Sequence, residues 1–226
     1  MVGFFDITDL HGDGFTKLIT ELGHVSYAWN NLHADLGDLF GSVCTGKGAD
    51  SLTRAIWHSH KSESGARFMF RAAAVAKITG DAPCLEELNW LVGEVDQIAA
   101  HRNDATHTLW DDTLLDEKLL ATDPWRAIAE RKIHPDPVRG NPRATRLVGV
   151  DPVPIFRGLA DYCMDLVQFT RGCHVRLWQL DRPIEKREPL PKRPQRPLAL
   201  LDQSNSQSTR PPKNAKPRRP PQSSPP

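Results

Sequence analysis

The stretch LEELNWLVGEVDQIAAHRNDATHTLW, residues 85–110, decides how this chain is read. Leu85, Leu88, Val92, Val95 and Ala99 step by three and four, the spacing that lines one face of a helix. The rhythm runs on through Arg102, Thr106 and Leu109, so it predicts a helix over 84–110. It also puts a guanidinium on the face that otherwise points into protein. A buried unpaired charge is very costly, so Arg102 must meet a carboxylate, line a cleft or face a partner molecule.

Outward from that stretch the same rhythm recurs. Leu18, Leu22, Val25, Trp29, Leu32, Leu36, Leu39 and Val43 form one seam, predicting a helix over 14–43 that Thr45-Gly46-Lys47-Gly48 ends. Asp50 is a candidate N-cap for a helix carrying Leu52, Ile56 and Trp57. Ser62 and Ser64 are further candidate caps, and Phe68, Ala72, Val75 and Thr79 continue at helical spacing. Residues 50–80 thus read as one kinked helix or two in series. Ile155, Leu159, Tyr162, Leu166, Phe169, Cys173, Arg176 and Leu180 predict a last helix over 152–180. The connection 111–150 has weak periodicity and many breakers, with a short helix expected near 123–132 and an extended piece at 146–150. Four to five helices with almost no strand signal predict an all-α, up-down helical bundle.

Charge divides the chain. Its 29 basic and 28 acidic residues split into 18 and 24 up to Leu180, and 11 and 4 from Asp181 onward. An acidic body, residues 1–180, is therefore followed by a basic segment, 181–226, that holds 12 of the 19 prolines. Such a composition buries little, so the segment is expected to be a disordered tail. The start of the chain lacks the pattern of a signal peptide, and no apolar run reaches the ~18 residues that span a membrane. Cys44, Cys84, Cys163 and Cys173 are scattered, which predicts reduced, packed thiols. The expectation is a cytoplasmic protein with no membrane partner.

The polar end of 85–110 carries the chemistry. On a helix Asn103 and His107 stand about 40° apart, and Arg102 lies about 140° from His107. A titratable imidazole is an acid or base near neutral pH, and a guanidinium is a fixed fork of donors for phosphate oxygens. These groups suit metal-free cleavage of RNA by its own 2′-OH. One imidazole cannot be acid and base in the same step, whereas two copies about a two-fold axis supply both.

Arg102-Asn103-Asp104-Ala105-Thr106-His107 resembles the Arg–polar–x3–His motif of HEPN domains (higher eukaryotes and prokaryotes nucleotide-binding). The resemblance extends over residues 14–180 in its order of helices and in the motif's place late on a long one. It implies a small helical bundle, a homodimer, and a metal-independent endoribonuclease of toxin–antitoxin or defence systems. Arg102, Asn103 and His107 would be the catalytic residues, RNA the substrate, and an antitoxin or other protein a further partner. No cofactor or metal is assigned. The alternative is a non-catalytic helical module that binds nucleotide, RNA or a protein partner; a third reading is a purely structural oligomerisation bundle.

Other constellations carry less. His58 and His60 are two apart and point to different sides of a helix, which does not suit a shared ion. Gly46-Lys47-Gly48 lacks the rest of a phosphate loop. His24 and His33 read as satisfied or exposed, and Trp29, Trp57, Trp90 and Trp110 as packing residues. Ser62-Glu63-Ser64 reads as capping. Arg193-Pro-Gln-Arg-Pro and Lys216-Pro-Arg-Arg-Pro-Pro are candidate proline-rich ligands, phosphate-attracting segments or plain solubilising tail.

Overall fold

The N-terminal seam becomes the centre of the molecule. The structure is a computed structural model that describes residues 13–111, 122, 134–136, 147–148 and 150–201. Helix α1 (Asp13–Thr45) buries Leu18, Val25, Trp29, Leu32, Leu36, Leu39 and Val43. It also buries Ala28 and Phe40 on other sides, because four helices pack around it. Gly46 ends α1 at φ 74°, a left-handed conformation that glycine adopts without steric cost.

The remaining helices alternate in direction. Helix α2 (Ser51–Ser59) opens on an Asp50–Thr53 capping box and runs back along α1, with Arg54 on Asp38 at 3.0 Å. Helix α3 (Glu63–Lys77) is capped by Ser62 and turns upward again. Helix α4 (Ala82–His107) descends, capped by Asp81 with Pro83 in its first turn. Helix α5 (Pro152–Leu177) rises parallel to α1, since Glu21 meets Arg157 and Asp35 meets Arg171. It is antiparallel to α4, where Tyr162 donates to Glu94 at 2.7 Å. The result is an all-α up-down bundle, as the apolar spacing predicts.

Several expectations are corrected. Of the two forms expected for residues 50–80, the structure has two helices in series, antiparallel to each other. In both, the buried face differs from the one expected: α2 buries Thr53 and Trp57 and leaves Leu52 and Ile56 exposed. Helix α3 buries Ala66, Arg67, Phe70 and Ala74, while Phe68 and Val75 face solvent. Helix α4 stops at His107, and Leu109–Asp111 (β1) pairs antiparallel with His134–Asp136 (β2), Trp110 opposite Pro135. At 146–150 the described residues make a turn, Val150 N–H donating to Leu147 O at 3.1 Å, instead of an extended piece. The helix expected near 123–132 lies outside the described residues.

The boundary of the tail also moves. Residues 181–201 pack on the body: a 3₁₀ turn at Ile184–Lys186 leads to a strap ending in α6 (Leu198–Leu201), whose Leu200 is fully buried. Composition masks this because the strap is held by arginines and prolines, not by an apolar seam. Residues 202–226 lie outside the described residues. All four cysteines are free thiols. Among the described residues no helix is long and apolar enough to cross a membrane.

Candidate functional site

The last turns of α4 face the starts of α3 and the middle of α1. The seam of α4 runs through Leu88, Val92, Val95, Ile98 and Ala105, so Arg102 falls at its edge, with its side chain 22% exposed. Its charge meets Glu63 at the head of α3: Nη2 donates to Oε1 at 3.3 Å. Nη1 donates to Asn103 Oδ1 at 3.2 Å, and the guanidinium lies 5.5 Å from the Trp29 ring centroid. The Nε is buried and makes no hydrogen bond among the described residues.

Glu63 is the hub. Besides Arg102 it accepts from Trp29 Nε1 at 3.1 Å, and its Oε2 lies 3.7 Å from His33 Nε2. That last contact is an ion pair only if His33 is protonated. Arg67 Nη1 also lies 3.3 Å from the same Nε2, and a guanidinium always donates, so Nε2 accepts and the imidazole is neutral. Burial is the main cause that pushes His33 down, to about 4; Glu63 opposes it, while Arg67 and Arg102 assist. Arg67 in turn donates from Nε to Asp96 at 2.7 Å, and Arg71 meets the other oxygen of Asp96 at 3.2 Å. Three arginines face two carboxylates around a neutral imidazole, so the cluster carries one net positive charge.

The motif residues are only partly united. Arg102 and Asn103 touch; His107, in the last turn, is exposed and makes no hydrogen bond or ion pair among the described residues. Thr106 Oγ1 donates back to the Arg102 carbonyl one turn earlier at 3.0 Å. Glu63, His33, Arg67 and Asp96 were not legible as parts of this site. They come from three helices, and only the misplaced Arg102 signals that a carboxylate must be near. Among the described residues no group of three or more His, Cys, Asp or Glu side chains could hold a metal ion.

Away from this cluster an opening of about 490 Å³ lies between α1 and α5, lined by Thr20, His24, Tyr27, Asp161 and Met164. Its buried carboxylate, Glu21, is already held by Arg157 Nε at 2.9 Å and by His24 Nδ1 at 3.2 Å, which leaves it little capacity for a ligand. The chain matches no protein-family model, no curated protein and no solved structure.

Proposed function

We propose that this chain is a HEPN-like, metal-independent endoribonuclease that acts as a homodimer. The observation that supports it is the contrast at the end of α4 between an oriented cation and an exposed imidazole. Arg102 is oriented by Glu63, Asn103 and Trp29, while His107 is exposed and engages no other side chain among the described residues. In the proposed step the RNA 2′-OH attacks the adjacent phosphorus and the 5′-oxygen leaves. One copy's His107 takes the 2′-OH proton, and the other copy's His107 donates a proton to the leaving oxygen. The phosphate carries the negative charge that Arg102 offsets, and the product ends in a 2′,3′-cyclic phosphate.

Purified full-length chain tested on mixed RNA in EDTA decides this. Cleavage should persist in EDTA, spare DNA, and fall about 100- to 10,000-fold in His107→Ala, the usual loss when acid–base help is removed. Equal rates for wild type and His107→Ala would overturn the proposal.

One observation favours the alternative, a non-catalytic module. Arg102 already faces a carboxylate, so part of its charge is spent inside the fold. That reading expects RNA or a protein to be retained without cleavage, with His107→Ala leaving retention unchanged.

A further inference from the structure

The strap that follows α5 lies in the groove between α4 and α5 in an extended form. Its spacing matches a polyproline helix along α5. Pro191 sits on Gly172 and Pro197 on Gly158. Fourteen helical residues separate those glycines, about 21 Å; six polyproline steps separate the prolines, about 19 Å. A Cβ on Gly172 would come within 2.8 Å of the Pro191 ring, so glycine is what permits that approach.

Three residues per turn also put Arg193 and Arg196 on one side. Each meets acceptors on α4, Arg193 at the surface and Arg196 more deeply. Arg193 donates to Glu87 at 2.8 Å and Glu86 at 2.9 Å, with its guanidinium 5.2 Å from the Trp90 ring centroid. Arg196 donates to Glu94 at 2.6 Å and to Gln97. Glu94 is buried, and its other partner is the Tyr162 hydroxyl at 2.7 Å. Without a guanidinium that carboxylate would stay buried with one neutral donor, so the groove selects arginine at this position.

The sequence holds the same pattern twice. Arg193-Pro-Gln-Arg-Pro fills the groove; Lys216-Pro-Arg-Arg-Pro repeats it, basic residue, proline, any residue, arginine, proline. We propose that the α4–α5 groove is a receptor for such segments, filled at rest by residues 193–197 and able to take residues 216–220 in their place. The groove's four glutamate and glutamine acceptors and its Trp90 face supply the specificity. Pro197 on Gly158, matched by Pro220 in the second segment, supplies the register; Asn214 stands where the strap has Pro191, so the second segment lacks the Gly172 contact.

Fluorescent peptides spanning 190–200 and 214–222 test this on the full-length chain. In the wild type the tethered strap competes at an effective concentration on the order of millimolar, so both peptides bind weakly. In R193E/R196E/K216E/R219E the groove is emptied, and both should bind at least tenfold more tightly by fluorescence anisotropy. Peptides with both basic anchor residues replaced by glutamate should not bind. Binding of neither peptide, or of the 190–200 peptide alone, to a variant with the wild-type circular dichroism spectrum overturns the proposal. Should the fourfold variant not fold, Arg196→Ala serves as the second background: a gain for both peptides supports the proposal, and no gain overturns it.

Discussion

The two ends of α4 each set a carboxylate against arginine, two arginines at the start and one at the far end, and they differ in exposure. At the start, Asp81 is fully buried and accepts from Arg176 Nε at 2.9 Å, Arg187 Nη1 at 2.8 Å and the Cys84 amide at 3.1 Å. Both arginines are under a tenth exposed. At the far end, Glu63 is 40% exposed and its Arg102 22%. A sealed cluster has traded all its water for protein partners, so it acts as a joint, here tying α4, α5 and the strap. A half-open one keeps a water-facing side. The difference separates the joint from the candidate site by solvent access, where charge content alone does not.

The largest expected effect tests the sealed end. Asp81→Ala removes a helix cap, worth about 1 kcal/mol, and strands two buried guanidinium groups, worth about 3–5 kcal/mol. Urea unfolding at neutral pH should show that loss, against about 1 kcal/mol or less for Glu63→Ala. Equal losses would break the comparison. The same joint should weaken in acid. Burial by itself raises the Asp81 carboxyl, but Arg176, the Cys84 amide and Arg187 outweigh it and hold the group below its ordinary range. Its contribution is therefore present above the ordinary aspartate range and is lost as pH falls through the lowered folded-state value.

A smaller effect lies inside the half-open cluster. His33 is pushed down to about 4 in the folded chain by burial first, with Arg67 and Arg102 assisting and Glu63 opposing. The unfolded chain takes up a proton near the ordinary histidine range while the folded chain resists it. Stability is thus fully present above that range and falls as pH drops toward 4. A displacement of this size corresponds to about 3 kcal/mol across the window. Urea midpoints at pH 7 and pH 5 should therefore diverge more in the wild type than in His33→Gln. Parallel midpoints would assign the acid sensitivity to other groups.

The sequence was most legible where one stripe of large apolar residues had no rival. The α1 seam from Leu18 to Val43 is such a stripe, and nearly all of it is buried. Helix α3 offered two. Phe68, Ala72, Val75 and Thr79 step like a core face, yet the buried stripe passes through Arg67, Phe70, Ala74 and Ile78. An arginine in that stripe disguised it, because the pairing with Asp96 that makes its burial tolerable comes from another helix. The site divides the same way. Arg102 was legible as a charge that must find company, and Glu63, reading as part of a cap, gave no local sign that it was that company. The strap was illegible for a third reason: its anchors are ion pairs and proline contacts more than a hundred or a dozen residues away in sequence, which no periodicity records.

The smallest expected effect on stability is also the sharpest test of the half-open end. Glu63→Gln keeps an oxygen acceptor for Trp29 Nε1 and removes only the negative charge opposite Arg102. A pair this exposed contributes about 0.2–1 kcal/mol, so the melting curve should barely move. The cluster's net charge, however, rises by one. If a phosphate competes with Glu63 for Arg102, the variant should hold single-stranded RNA more tightly, because the guanidinium no longer has a charged internal partner to give up. One additional phosphate neutralised steepens the dependence of log affinity on log salt by about 0.7. Filter binding across a salt series on the His107→Ala background separates retention from cleavage. A slope unchanged by Glu63→Gln would mean that Arg102 stays committed to the fold and that nucleic acid, if bound, is held elsewhere.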